Sequence, residues 1–207
     1  MIWWISGGLL ILAYLLGSLP TGFLIAKVVQ GIDIRDHGSG NTGATNVFRL
    51  VGKQAGITVL AIDLIKGLTA VLLARLVLAH VDDGGLGLST WVQTLAGLLA
   101  IVGHSRSVWL NFTGGKSAAT GLGVILALAW PVGLGTAAVF GLVFGLSRTV
   151  SLGSISAATA APVLMFLTAQ PLPFMLLVLL GGIYVIVRHR SNISRLLAGT
   201  EPKLGNP

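Results

Sequence analysis

The sequence predicts an all-α fold, a multi-pass transmembrane helical bundle, and three observations support this prediction. First, 54% of the 207 residues are apolar and only 9% are charged, whereas soluble domains carry about 25% charged residues. Second, apolar runs of membrane-helix character recur along the whole chain. Third, basic residues concentrate in alternate connections between those runs. We therefore expect a single integral membrane domain over residues 1–207. The absence of cysteine excludes a disulfide-bonded scaffold.

Seven apolar stretches define the predicted helices. They cover residues 2–26, 54–79, 90–103, 118–130, 132–147, 150–169 and 172–187. The third, fourth and fifth are short for a bilayer that needs about 20 helical residues. Residues 118–147 could therefore form one long helix, a re-entrant hairpin or two short spans. Pro131, with glycines shortly after it, favours a break after Trp130. We predict seven helices, with five as the alternative.

The distribution of basic residues predicts the orientation of these helices. Seven spans with the N-terminus outside place eleven of the 13 Lys and Arg residues on the cytoplasmic face, where the C-terminus also lies. The opposite connections contain Asp82 and Asp83 but no Lys or Arg. Residues 191–197 are predicted to lie along the cytoplasmic interface. The net charge of +7 therefore indicates contact with anionic membrane lipids, and we expect no nucleic-acid partner.

The first of three polar segments runs from Arg35 to Arg49 and is predicted to bind phosphate. Glycines let backbone N–H groups turn toward a ligand, small side chains add donors, and the arginines add positive charge. A tight turn without function is the alternative. However, eight of the nine residues 38–46 are Gly, Ser, Thr or Asn, which favours a binding loop. The candidate residues are Arg35, Gly38, Ser39, Gly40, Asn41, Thr45, Asn46 and Arg49.

The second polar segment comprises His104 and residues 111–117. Its Gly-Gly-Lys-Ser run invites comparison with a P-loop, but position 110 is Leu where that motif requires glycine, and no strand precedes it. A glycine turn and a lysine before a predicted helix are still suited to a phosphate. His104 is interpreted equally well as a ligand contact or as a helix cap. The candidate residues are His104, Gly114, Gly115 and Lys116.

The third polar segment follows the last apolar stretch, from Arg188 to Arg195, and continues at Gly199, Thr200 and Glu201. His189 and Asn192 lie three residues apart, so on a continuing helix they share a face and can address one ligand. A purely basic membrane anchor has no use for histidine and asparagine. Arg188, His189 and Asn192 are the candidate residues here.

Acidic residues are scarce, and their positions exclude several chemistries. Asp63 and Lys66 lie one helical turn apart inside the second stretch, where we expect them to pair with each other. The six acidic residues form no cluster suited to Mg²⁺. We therefore expect neither a metal nor a cofactor, which weakens sugar-transferase and CDP-alcohol-transferase interpretations. The acyltransferase signature of a histidine followed five residues later by aspartate is also absent.

These segments, together with residues 17–22 and 63–67, resemble the acyl-phosphate-dependent glycerol-3-phosphate acyltransferases of the PlsY type. The resemblance covers essentially the whole chain in order, through GSGNTGATN, GGK and RHRSNI. The family usually has FKGGKG where this sequence has FTGGKS. Thr113 therefore replaces a lysine that would contact phosphate, and Ser117 is expected to cap the following helix instead.

The resemblance implies a bacterial inner-membrane enzyme that transfers a fatty acyl group from acyl phosphate to sn-glycerol 3-phosphate. The products would be 1-acyl-sn-glycerol 3-phosphate (lysophosphatidic acid) and phosphate, in the first step of phospholipid synthesis. The active site would face the cytoplasm, and we expect a monomer. The resemblance implies a catalytic role for Ser39, Lys116, His189 and Asn192, with Gly114 and Gly115 in the glycerol-phosphate loop.

Two questions stay open at this point. The base for the glycerol hydroxyl is either His189 or a phosphate oxygen of the acyl phosphate, and we favour the latter because no carboxylate accompanies the histidine. Ser39 as an acylated nucleophile is a third option, which we rank last because no Ser-His-Asp set is visible. The alternative function is a membrane transporter of a phosphate ester. A transporter would place polar groups near the midplane and on both faces, whereas the polar segments here lie on one predicted face.

Overall fold

The computed structural model describes residues 2–81 and 87–204, and its regular structure is helical. The predicted all-α class is therefore confirmed. Asp82 and Asp83 lie outside the described residues. The helices are α1 (Ile2–Ser18), α2 (Thr21–Gln30), α3 (Ala44–Leu50), α4 (Lys53–Leu78), α5 (Leu88–Ser105), α6 (Ala118–Leu128), α7 (Trp130–Ser147), α8 (Val150–Leu167), α9 (Leu172–Arg188) and α10 (Arg190–Leu197), with short 3₁₀ segments at Ile34–Asp36 and Val108–Leu110.

Prolines explain the two helix breaks inside the apolar stretches. The first stretch forms α1 and α2 because Pro20 lacks an N–H group and disfavours helical geometry at Leu19. The stretch over 118–147 is broken at Ala129, and Pro131 lies in the first turn of α7, where proline is well tolerated. One long helix over these residues is therefore wrong, and the predicted break is confirmed one residue earlier than expected.

Helix lengths and composition define a multi-pass membrane protein. In the described part of the chain, four segments are long and apolar enough to cross a membrane: Ile2–Gln30, Lys53–Leu78, Trp130–Ser147 and Val150–Leu167. Helices α9 and α10 together would provide a fifth, bent by 60°. Helix α6 is apolar but shorter than the thickness of a bilayer requires.

The chain divides into two compact units, Met1–Leu128 and Ala129–Pro207. In the first unit α4 packs against α6, and α1 packs against α5. Glycine makes both contacts close, because a Cβ at Gly17 would overlap the Ala100 carbonyl and one at Gly67 would overlap the Thr120 carbonyl. In the second unit α8 packs between α7 and α9. Small residues let membrane helices approach backbone to backbone, so these glycines set the spacing of the helices.

The α4–α6 contact yields a prediction with an internal control. A Cβ at Gly123 would overlap the Leu64 carbonyl, whereas a Cβ at Gly121 would meet only Ile101 Cδ1 at 4.0 Å. We expect Gly123→Ala to lower the free energy of unfolding by about 1–3 kcal/mol, as overpacking does. Gly121→Ala should be neutral or stabilising by up to about 1 kcal/mol, because alanine favours helix. Thermal unfolding in detergent measures both, and equal effects would contradict the close approach.

Candidate active site

Asn46 holds the first polar segment in a fixed fold. Its Nδ2 donates to the carbonyls of Ile34, His37 and Asn41 at 3.3, 3.1 and 3.0 Å, and its Oδ1 accepts from the Ser39 N–H at 3.1 Å. The residue is only 3% exposed. These bonds use the side-chain amide inside the loop, so the structure gives Asn46 a supporting position where the sequence predicted a substrate contact.

Two glycines make the loop possible and leave Ser39 on its open side. Gly38 and Gly40 have φ of 59° and 64°, the left-handed region in which other residues are strained. A Cβ at Gly38 would also approach the Asn46 amide oxygen too closely. Ser39 and both glycines are exposed. The structure therefore places the predicted catalytic serine on the accessible surface of the loop.

Arg35 is engaged by neighbours within its own unit. Its Nη2 and Nε donate to the Asp33 carboxylate at 2.6 and 3.0 Å, and its guanidinium lies 5.3 Å from the Phe23 ring centroid. The hydrogen bond from Arg35 lowers the pKa of Asp33 to about 2. An anion at Arg35 would share its positive charge with this carboxylate. Arg49, by contrast, is exposed at the other end of the segment.

The glycine turn of the second polar segment packs directly against His104. The Gly115 N–H donates to the His104 carbonyl at 3.1 Å. A Cβ at Gly114 would overlap that carbonyl, and one at Gly115 would overlap the imidazole at Nε2. Both glycines are therefore required by contact with the end of α5. The turn brings Lys116 to a half-buried position two residues before α6.

The two residues that depart from the family pattern are both explained by local bonds. Thr113 is exposed, and its hydroxyl donates to the Leu110 carbonyl at 2.7 Å. Ser117 has φ of 62°, a conformation that accounts for the usual glycine there. Its hydroxyl bonds to the Ile101 carbonyl at 2.8 Å and to the Ser105 hydroxyl. Because this hydroxyl is directed to α5, the expectation that Ser117 caps α6 is wrong.

The first two polar segments border one cleft in the first unit. Thr42 of the first segment and Gly114 of the second line it, together with Asp63, Lys66 and His104. Asp63 Oδ1 lies 2.9 Å from Lys66 Nζ, so the predicted pairing is confirmed. The same oxygen lies 3.6 Å from His104 Nδ1. Sequence reasoning did not place His104 beside this pair, because a contact between α4 and α5 leaves no local signal in the sequence.

The third polar segment bends where a continuing helix was expected. Helix α9 ends at Arg188 and α10 begins at Arg190, with an angle of 60° between them. The continuing helix is therefore wrong, although His189 and Asn192 both lie buried at this bend. His189 Nδ1 is 2.7 Å from the Val185 carbonyl oxygen. Since a carbonyl only accepts, Nδ1 carries the hydrogen, and Nε2 is the acceptor of the neutral ring.

Glu201 anchors Asn192, and sequence reasoning missed it. Its carboxylate accepts from Ser151 Oγ at 2.7 Å, Asn192 Nδ2 at 2.6 Å and Arg195 Nε at 2.7 Å. The Glu201 side chain is only 5% exposed. Burial acts to raise the pKa of Glu201, but these hydrogen bonds outweigh it and lower the pKa below its ordinary value. The available signal was a lone acid in a basic C-terminal segment.

Carboxylates elsewhere in the described residues are dispersed. No group of three or more His, Cys, Asp or Glu side chains is close enough to hold a metal ion within residues 2–81 and 87–204. Asp33, Asp63 and Glu201 each lie beside a Lys or Arg side chain. Three of the four described carboxylates are thus engaged in ion pairs, the fourth being the exposed Asp36, and the cleft residues Lys66 and His104 offer cationic and hydrogen-bond-donating groups.

The apolar helices define a multi-pass membrane protein, and its glycine-rich, basic loops are of a type that binds anions in other proteins. A family model described as glycerol-3-phosphate acyltransferase matches residues 7–199. The chain belongs to this family, and it is an enzyme of the acyltransferase class. The family resemblance inferred from the sequence motifs is confirmed.

Individual relatives match over nearly the full length of the chain. A glycerol-3-phosphate acyltransferase 2 of Rhizobium johnstonii is 56% identical, with 99% of each chain covered. A glycerol-3-phosphate acyltransferase of Acaryochloris marina is 55% identical, covering 99% of this chain and 95% of the relative. A crystal structure of PlsY in its glycerol 3-phosphate form is 40% identical, with a TM-score of 0.87 over 97% of this chain and 96% of that one.

The left-handed backbone at Ser117 gives a prediction that separates strain from hydrogen bonding. Ser117→Ala removes the hydrogen bonds to α5 but keeps the backbone strain, whereas Ser117→Gly removes the hydrogen bonds and the strain. We expect both variants to be less stable than the wild type, because buried polar groups of α5 lose a partner. Glycine should be the more stable of the two by about 1 kcal/mol. Thermal midpoints in detergent test this order, and an alanine variant as stable as the glycine variant would contradict it.

The bonds to Glu201 predict how stability depends on pH. A carboxylate whose pKa is lower in the folded than in the unfolded state stabilises the folded state fully above its unfolded pKa, ordinarily near 4.5. This stabilisation is lost as pH falls through the folded-state pKa. We expect Glu201→Gln to lower the thermal midpoint at neutral pH. The difference from the wild type should stay constant above about pH 5 and shrink below about pH 4.5. A difference that does not change with pH would exclude a charged Glu201 in the folded state.

Proposed function

We propose that this protein transfers a fatty acyl group from acyl phosphate to sn-glycerol 3-phosphate, giving 1-acyl-sn-glycerol 3-phosphate and phosphate. The observation that carries the proposal is the cleft that two glycine-rich polar segments border in a chain of this family. Both substrates carry a phosphate group, which two anion-binding loops suit. The solved PlsY relatives are described in a glycerol 3-phosphate form and a lysophosphatidic acid form, and these compounds match the proposed acceptor and product.

The reaction needs positioning more than strong acid or base catalysis. The glycerol hydroxyl oxygen forms a bond to the acyl carbon, and the bond between that carbon and the phosphate oxygen breaks. Phosphate is a good leaving group, and the hydroxyl proton passes to a phosphate oxygen. Cationic side chains and backbone N–H groups stabilise the developing negative charge. The chemistry therefore fits a site with lysine, arginine and glycine turns, and we propose that it uses neither a metal nor a cofactor.

We assign roles to the candidate residues according to their surroundings. Ser39, Asn41, Thr45 and Arg49, with the backbone of Gly38 and Gly40, bind one phosphate. Lys116 and the Gly114–Gly115 turn bind the phosphate of glycerol 3-phosphate. Arg35, Asn46, His104 and Arg188 support these loops or the final helix bend, since the first three are already bonded or packed within the first unit.

His189 and Asn192 orient the acceptor hydroxyl in our proposal. The bond from Nδ1 to the Val185 carbonyl directs the acceptor character of the neutral ring to Nε2, which can receive a hydrogen bond from the glycerol hydroxyl. Asn192 is held by Glu201 at 2.6 Å. The acyl phosphate itself takes the proton, because its phosphate oxygens carry negative charge beside the reacting hydroxyl.

The proposal also includes a number of membrane spans and an orientation, which helix lengths alone do not define. We propose seven spans in one domain over residues 1–207, with the N-terminus outside and the C-terminus cytoplasmic. The concentration of Lys and Arg in alternate connections supports this orientation. The active site then faces the cytoplasm of a bacterial cell, at the inner membrane, where the monomer meets a water-soluble acceptor.

A phosphate-release assay tests the function directly. Purified protein in detergent should release one phosphate for each 1-acylglycerol 3-phosphate formed from palmitoyl phosphate and glycerol 3-phosphate. Turnover should persist in excess EDTA, because the proposed stabilisation comes from side chains and backbone groups. A transporter would give no release when no second compartment exists. Loss of turnover in EDTA with recovery in Mg²⁺ would overturn the metal-free mechanism.

Two substitutions of His189 separate orientation from general-base catalysis. Gln places a polar group near the position of Nε2, whereas Asn retains a donor near Nδ1 for the Val185 carbonyl. If His189 orients the hydroxyl, His189→Gln should keep a larger share of kcat than His189→Asn. If His189 is the base, both variants should lose about 10²–10⁴-fold in kcat. Steady-state kinetics with both substrates decides between the two roles, and equal large losses with unchanged KM would reject the orienting role.

A further inference from the structure

Three charged or ionisable side chains meet inside the apolar part of the first unit. Asp63 and Lys66 of α4 are 3% and 4% exposed, and His104 of α5 is 8% exposed. Asp63 Oδ1 lies 2.9 Å from Lys66 Nζ and 3.6 Å from His104 Nδ1. Burying such groups is costly in a membrane helix, so a cluster of this kind indicates a role that an apolar contact would not perform.

The contacts of Lys66 account for its pairing with Asp63 but not for the position of His104. Its Nζ donates to the Leu19 carbonyl at 2.9 Å, at the break between α1 and α2. This bond adds a second donor to a carbonyl that already accepts the Thr21 N–H at 3.0 Å, and Asp63 balances the lysine charge. Balancing the charge of Lys66 does not require the Asp63 carboxylate to face α5. The contact with His104 therefore needs a separate explanation.

The contact at the opposite edge of the His104 ring supplies this explanation. Nδ1 faces Asp63, while Nε2 lies against Gly115 so closely that a Cβ on that glycine would overlap it. The His104 carbonyl also accepts the Gly115 N–H at 3.1 Å. A rotation of this ring would displace the glycine turn, and with it Lys116, the next residue. The Asp63 carboxylate lies at the other edge of the ring, 3.6 Å from Nδ1, where it can oppose such a rotation by charge and by contact.

We propose that Asp63 is a positioning residue for glycerol 3-phosphate, acting through the His104 imidazole on the Gly114–Gly115 turn and Lys116. This inference rests on the proposed function, in which that turn binds the acceptor phosphate. Asp63 touches neither substrate. Its loss frees the His104 ring, which loosens the turn and weakens binding of glycerol 3-phosphate without disturbing the acyl phosphate.

The test measures KM and kcat for both substrates with the purified full-length protein in detergent. Asp63→Asn preserves shape and removes the charge, so KM for glycerol 3-phosphate should rise about tenfold or more, as loss of a charge-assisted contact implies. KM for acyl phosphate should stay within about twofold, since that substrate is bound elsewhere. Asp63→Glu, which restores a carboxylate, should recover part of the affinity.

Arg75→Gln is the matched control. Arg75 also belongs to α4 and also bonds a residue of α5, with its Nε 3.0 Å from Gln93 Oε1. It lies about three helical turns beyond Asp63. A merely structural α4–α5 contact lowers the thermal midpoint and leaves KM for both substrates unchanged, and this is the result we expect for Arg75→Gln. The same pattern for Asp63→Asn would overturn the proposal.

A double-mutant cycle with Gly115→Ala tests the route through the turn. Because the alanine Cβ already displaces the His104 ring, adding Asp63→Asn should raise KM for glycerol 3-phosphate less than the product of the two single effects. Independent effects would overturn the proposal. If Asp63→Asn fails to fold, His104→Gln replaces it in the same cycle, with the same expectation and the same rejection by independent effects.

The outcomes also separate this inference from the proposed function. If Gly115→Ala leaves KM for glycerol 3-phosphate unchanged, the turn does not bind the acceptor, and the proposed role of the turn fails first. If Gly115→Ala raises that KM and Asp63→Asn does not, the proposed function stands and the positioning role of Asp63 is rejected.

Discussion

The ion pair between Asp63 and Lys66 is the interaction on which the arrangement of the first unit depends. In a bilayer, charges and free backbone groups both need partners within the protein. Lys66 pairs with Asp63 and also donates to the Leu19 carbonyl, 2.9 Å away at the break between α1 and α2. Asp63 then faces the end of α5 at His104. One pair thus joins the helix break, α4 and α5, and removing either partner leaves a buried charge uncompensated, which costs several kcal/mol.

Glycine serves two purposes in this chain, and the structure separates them. At Gly67 and Gly123 the missing side chain lets α4 and α6 meet through their backbones. At Gly114 and Gly115 it lets a loop pack against the carbonyl and ring of His104. A glycine-rich phosphate loop is usually explained by the ligand that its N–H groups face. Here the protein itself imposes the same residue, so a substitution at Gly115 acts on the histidine before it acts on any ligand.

The sequence predicted helix positions well because the length of an apolar run and the place of a proline are local properties. The break before α7 followed from Pro131, and the Asp63–Lys66 pairing followed from one helical turn. Contacts between distant segments had no such signal, which is why His104 beside Asp63 and Glu201 beside Asn192 were missed. The bend at His189 was also missed, because an apolar run that ends does not specify the direction of the following helix. Asn46 was predicted to bind substrate because composition does not reveal that an amide is already bonded within its loop.

The placement of the acids explains how this family can combine two anionic substrates. Asp33, Asp63 and Glu201 each lie within 3 Å of a Lys or Arg nitrogen, so ion pairs within the protein balance their negative charges. A free carboxylate near the phosphates would repel both substrates in a medium of low dielectric constant. In our proposal the pairing of these three carboxylates leaves lysine, arginine, histidine and backbone donors to face the ligands. In the proposed reaction the proton of the acceptor hydroxyl passes to a phosphate oxygen of the substrate, because the carboxylate that lines the cleft, Asp63, is paired with Lys66.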